Sequence, residues 1–194
     1  RVLFRSLDQA LRLDPKSSLA YNNRGLAWHQ KGENDKAIAD FEQLVASNTN
    51  LVGSANPREN RQLGYDRAGD KRVSQPIRLS PSFARAFNDR GLATAAKGEL
   101  DRAIADYDQA LKINANFGTA YYNRGNAYYN KRDLDRALAD FDQAIKIDPK
   151  DRFAHFDRGL AYYDKRDYDR AALNFDQVVK LDAKDAAAYY NRGM

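Results

Sequence analysis

The chain has 194 residues, 43% of them hydrophobic and 30% charged, with no cysteine and a formal net charge of +5. A mean hydropathy of -0.79, with no apolar run near the roughly 20 residues of a spanning helix, excludes membrane insertion by a transmembrane segment. Without cysteine there is no disulfide framework, thiolate zinc site or cysteine nucleophile, and two histidines, His29 and His155, leave little material for a metal or acid–base centre.

Residues 1 to 20 carry arginines and no apolar core segment, so a signal peptide is not expected, and residues 1 to 17 form a segment of their own. Their Leu7, Ala10, Leu13 and Pro15 read as the second helix of a truncated unit. Residues 18 to 51 hold a full unit, with Asn23-Arg24-Gly25 in its first half and Asp40-Phe41-Glu42-Gln43 in its second. These two landmarks return in residues 84 to 117, 118 to 151 and 152 to 185, with Asn174-Phe175-Asp176-Gln177 as a variant of the second. Residues 186 to 194, with Asn191-Arg192-Gly193, read as the first helix of a truncated unit. Gly91, Gly125, Gly159 and Gly193 are each 34 residues apart, a period that marks a repeat array.

Apolar residues recur within a unit at intervals of three and four, so each unit reads as two short helices. In residues 118 to 151 the first helix is expected to end near Lys131 and the second to open with Asp135 as its N-cap, like Asp35, Asp101 and Asp169. Asp148-Pro149 ends the second helix. Gly32 and Gly98 between the helices tolerate a positive φ; Arg132 and Arg166 replace them at a cost of ~1 kcal/mol if that conformation is kept. Arginine stands at the seventh position of every unit, and Asp40, Asp106 and Asp140 at the twenty-third can face it as ion-pair partners. Asn174 takes that place beside Arg158 and leaves it less neutralised.

Residues 52 to 83 lack the signature. They carry most of the charge excess, six Lys/Arg against three Asp/Glu, while elsewhere the signs alternate as on solvated helix surfaces. No nucleic-acid partner is therefore expected. Gly53, Pro57, Gly64 and Pro76 break helical patterning, yet Tyr65-Asp66-Arg67-Ala68 and Ile77-Arg78-Leu79-Ser80-Pro81 resemble parts of a unit. Three readings stay open here: an insertion, a degenerate unit or a local reading-frame slip.

The pattern resembles the tetratricopeptide repeat (TPR) family. In the unit 118 to 151 the family's signature positions are Tyr121, Gly125, Tyr128, Ala137, Phe141, Ala144 and Pro149, all matching. Small residues let the two helices approach and aromatics fill the space beside them, so these aromatics, and His155 at the same position as Tyr121, are read as core. The resemblance implies an all-α fold, a right-handed superhelical solenoid of antiparallel helix pairs whose first helices line a concave face. It also implies that the chain is a fragment of a longer protein, since neither end carries a polar cap.

Carried over by position, the concave face holds Asn23, Asp89, Asn123, Asp157 and Asn191 as a row, with Tyr122, Asn126, Tyr129, Phe156, Tyr163 and Tyr190 beside it. Amide side chains both donate and accept, so such a row can hold a peptide main chain whatever its sequence, as in the similar asparagine ladder of O-linked N-acetylglucosamine transferases. The alternate aspartates favour a peptide with Lys or Arg side chains. The family's clamp for acidic chaperone tails matches at one residue in five, Asn123 among Asn88, Leu92, Asn123, Phe153 and Asp157, so such tails are not expected ligands. Carboxylates recur at equivalent places in each unit rather than at one unique site, so no catalytic residue, metal or cofactor is expected. The expected function is a protein-interaction scaffold binding a partner's peptide; a structural spacer or an end-to-end self-associating module is the alternative. The compartment is undetermined, a soluble cytoplasmic one being favoured.

Overall fold

The computed structural model of the chain describes residues 2 to 53 and 81 to 193. Ten helices and no strand occur among the described residues: α1 (Val2–Leu13), α2 (Ser18–Gln30), α3 (Asn34–Gly53), α4 (Pro81–Ala96), α5 (Leu100–Ile113), α6 (Gly118–Asn130), α7 (Leu134–Ile147), α8 (Arg152–Asp164), α9 (Tyr168–Leu181) and α10 (Ala186–Arg192). Each pair packs on itself and its second helix packs on the next pair's first helix, giving an all-α solenoid.

Local chemistry sets the helix limits. Ser17, Asp151 and Asp185 cap α2, α8 and α10 by accepting hydrogen bonds from first-turn backbone N–H groups. The second helices differ from the sequence expectation, because the caps of α7 and α9 are Asp133 and Asp167, two residues before Asp135 and Asp169. Asp133 accepts from the Arg136 N–H, while Asp135 sits in the first turn, where its charge complements the helix dipole. In α5 the capping position is Glu99, which makes no side-chain cap bond. Between paired helices Gly32, Gly98, Arg132 and Arg166 adopt φ of 75°, 81°, 63° and 62°, so both arginines do keep the left-handed turn.

Within each pair the glycine of the first helix meets the aromatic ring of the second. A Cβ placed on Gly125 would stand 2.8 Å from Phe141, and Gly25, Gly91 and Gly159 are similarly crowded by Phe41, Tyr107 and Phe175. These four rings are essentially fully buried, each worth roughly 2–3 kcal/mol of transfer free energy. The seventh-position arginines close the pair on its wet side. Arg124 donates through Nε and Nη2 to Asp140 at 2.8 and 2.7 Å, and through Nη1 to Asp108 of the preceding unit at 2.5 Å. Arg24 repeats this with Asp40 and Asp8, and Arg90 with Asp106. The partner in the preceding unit was not anticipated from sequence. Arg158 bonds the Asn174 carbonyl and Asp142, so it holds one carboxylate where Arg124 holds two.

Residues 54 to 80, and with them most of the segment that reads as an insertion, a degenerate unit or a frame slip, lie outside the described residues. The helices flanking it pack on each other directly, α3 on α4, as α5 packs on α6 and α7 on α8. Ala93 of α4 joins Ala37, Ile38 and Phe41 of α3 in one cluster, just as Ala161 joins Ala137, Leu138 and Phe141. Lys97 pairs with Asp35 at 2.5 Å across 62 residues, whereas the equivalent pairs Lys131–Asp101 and Lys165–Asp135 span 30. α3 runs 20 residues where α5, α7 and α9 run 14.

Candidate functional site: the face of the first helices

Among the described residues, first helices touch their counterparts in neighbouring units, α2 with α4, α4 with α6 and α6 with α8, more closely than second helices touch theirs. The array therefore curves toward its first helices, and the face built by α2, α4, α6, α8 and α10 is the concave one.

Cross-helix bonds on this face follow one rule that the sequence contained but the sequence reading missed: a residue is tied to the one 35 positions on, a period plus one. Tyr122 donates to Asp157 at 2.8 Å, Tyr129 to Asp164 at 2.9 Å, and Asn123 donates to Asn88 at 2.9 Å. Asn88, buried to 4% exposure, donates onward to Asp89 at 3.1 Å. A carboxylate accepts only, so it turns the Asn88 amide nitrogen toward itself and its oxygen toward Asn123. Asn123 must then present its nitrogen to Asn88, leaving its own carbonyl oxygen for a ligand. Asn191 commits its amide nitrogen to the Ala187 carbonyl of its own helix. Of the three amides in the row, Asn123 and Asn191 are therefore held by their nitrogens, which leaves their carbonyl oxygens as acceptors.

The other expected site residues divide by exposure. Asn23 is exposed and Tyr190 strongly so. Phe156 and Tyr163 are half-buried and packed edge-on against Phe175 and Tyr168 of the second helix, at 5.5 and 5.4 Å between ring centres. They brace the wall more than they offer surface. Phe153, 55% exposed, offers more contact area than either. His29, for which the sequence showed no partner, places Nδ1 2.8 Å from Asn34 Oδ1 and therefore donates there. His155 is packed as expected, with Nε2 donating to the Pro149 carbonyl at 3.1 Å, but its buried Nδ1 has no partner.

The groove is acidic. Among the described residues, its first helices carry Asp89, Asp157 and Asp164 along this face, with Arg85 as a cation within electrostatic reach of Asp89 and Arg132 reaching in from the turn to Asp164 at 2.8 Å. Burial raises the Asp89 carboxyl above its ordinary value, opposed by Asn88, His29 and Arg85. Burial likewise raises Asp157, opposed by Tyr122 and Asn126 and reinforced by Asp151. The Tyr129 phenol is pushed up to about 12 by burial and by Asp164. Among the described residues no three His, Asp or Glu side chains gather as a metal site, and no helix is long and apolar enough to cross a membrane.

Three family models match the chain, two described as tetratricopeptide repeat, over residues 118–151 and over 5–50 with 156–194, and one as TPR repeat, over 94–132. The chain is a tetratricopeptide repeat protein. In sequence no curated protein matches it. Among solved structures, MamA is 22% identical with a TM-score of 0.70 over 94% of this chain and 88% of MamA. YrrB, described as a TPR protein with an unusual peptide-binding site, is 20% identical with a TM-score of 0.70 over 99% and 84%. The first TPR of Spaghetti (RPAP3), bound to the HSP90 peptide SRMEEVD, is 19% identical with a TM-score of 0.58 over 61% and 94%. At these identities the likeness is one of fold.

Proposed function

We propose that this TPR array is a non-catalytic protein-interaction scaffold that grips a peptide segment of a partner protein along its concave face. The reading rests on one observation: the face of α2, α4, α6, α8 and α10 presents oriented acceptors beside exposed aromatic surface at Phe153 and Tyr190. Aromatic rings supply contact area at low entropic cost, and acceptors at repeat spacing meet the N–H groups of a main chain. Peptide binding by YrrB and by the RPAP3 domain lends support by fold. The acidic groove favours segments with Lys or Arg and disfavours an acidic tail such as SRMEEVD, whose carboxylates would face Asp89, Asp157 and Asp164.

A peptide-array screen with the purified chain, repeated with Asn123→Ala/Asp157→Ala and accompanied by light scattering, tests this. Binders that are lost in the double variant support the reading. Absence of binders together with oligomers in solution would instead favour self-association through α1 and α10.

A further inference from the structure

The buried carboxylates Asp40, Asp106 and Asp140 each hold an arginine through two guanidinium nitrogens. Asp164 holds Arg132, and Asp89 has Arg85 and His29 within electrostatic reach. Asp157 differs. It is half-buried on α8 and accepts from the neutral Tyr122 phenol at 2.8 Å; neutral Asn126 also favours its charged form, and the charge that acts on it is another carboxylate, Asp151. Among the described residues no cation pairs with it. Four residues earlier on the same helix, and so on the same face, stands Phe153, more than half exposed; the Arg152 guanidinium lies over its ring at 4.2 Å from the centre and is itself paired with Asp185 at 3.1 Å.

We propose that Asp157, fixed by Tyr122 and flanked by Phe153, is the anchor that takes a lysine or arginine side chain of the bound segment. The proposal rests on the peptide-groove reading and makes it specific. A cation there supplies the missing countercharge, while the exposed part of the Phe153 ring that Arg152 leaves open accepts its aliphatic stem. The neutral Tyr122 hydroxyl holds the carboxylate in place without spending its charge. Burial, which raises the Asp157 carboxyl in the free protein, is offset once an ammonium or guanidinium arrives.

The probe is Nα-acetyl-lysine methylamide, with the Nε-acetylated compound as neutral control, titrated while the side-chain carboxyl carbon of Asp157 is followed by NMR. The expected result is a saturable shift at Asp157 with the ammonium probe, at least tenfold weaker with the neutral one. That binding is lost in Asp157→Asn, which is tolerated structurally because Asn23, Asn123 and Asn191 occupy the same place. It is retained in Asp169→Asn, the same charge change on an exposed site of α9. Equal response to both probes, or equal loss in both variants, overturns the proposal. Array peptides that bind through the groove irrespective of Lys or Arg would remove the anchor and keep the groove. An amine that binds at Asp157 while no peptide binds would do the reverse.

Discussion

Replacing Gly125 by alanine tests the packing rule that builds every unit. Two effects compete. Alanine in a helix interior is favoured over glycine by about 1 kcal/mol. The new Cβ, however, would lie 2.8 and 2.9 Å from Phe141 ring carbons and 3.3 Å from Asp140 Cβ, well inside the 3.5–4.0 Å at which carbons attract. Phe141 has no exposed surface and cannot swing aside, and Asp140 is pinned by Arg124. Overpacking of this kind costs about 1–3 kcal/mol; with two contacts below 3.0 Å against a ring that cannot move, the upper part of that range, about 2–3 kcal/mol, applies, so the net loss is about 1–2 kcal/mol. For a chain of this size that lowers the melting temperature by roughly 2–8 °C. Thermal unfolding followed by circular dichroism reads it directly, and adding Phe141→Leu to Gly125→Ala is expected to recover part of the loss. Gly193→Ala, whose Cβ would meet nothing closer than 3.6 Å, is expected to be harmless. If Gly125→Ala is as stable as the parent, the close approach of α6 to α7 is not what the glycine is for.

Arg124→Ala strands Asp140, 5% exposed, without its cation and is expected to destabilise by about 3 kcal/mol in chemical denaturation; Arg158→Ala, facing neutral Asn174, should cost roughly half of that. His155→Phe removes the unpartnered buried Nδ1 but also the bond from Nε2 to the Pro149 carbonyl, so the two effects oppose and stability is expected to change by less than about 1 kcal/mol in the same assay, phenylalanine already standing at this position as Phe87. Excising residues 52 to 83 brings Gly25 and Gly91 from 66 residues apart to the 34 of the other units. The shortened chain is expected to fold with undiminished helical signal per residue and an intact Lys97–Asp35 contact; loss of cooperative folding would show that α3 and α4 need the intervening residues. Affinity for a lysine-bearing peptide is expected to fall as pH drops through the raised Asp157 value, above 3.8, because the protonated carboxyl attracts no cation. The same raised value means that ionisation opposes folding: this stabilising preference for the protonated form is present at acid pH and lost as pH rises, so Asp157→Asn should not lower stability at neutral pH.

The period made most of the fold legible. Glycine and aromatic landmarks 34 residues apart predicted which helices pair, and the recurrence of arginine and aspartate predicted their ion pairs. The caps were misplaced by two residues because Asp133 and Asp135 are equally good capping residues by type, and only the backbone entering the helix selects between them. The site was harder to read. Treating each position as its own row placed Asn123 with Asn191, whereas the packing pairs each residue with the one a period and one residue further on, Tyr122 with Asp157 and Asn123 with Asn88. That offset arises from how neighbouring first helices lie against each other, which residue types do not reveal. The direction of the amides followed only once Asp89 was seen at the end of the chain of bonds.

The claim that the concave face is the binding surface is tested most directly by photo-crosslinking. A benzophenone-bearing peptide from the array screen, irradiated on the chain and mapped by mass spectrometry, is expected to attach to α4, α6 and α8 at residues such as Asn123, Asn126, Phe153 and Leu160. Attachment instead to the outer surfaces of α5, α7 and α9, at Arg102, Arg136 or Leu173, would contradict the account.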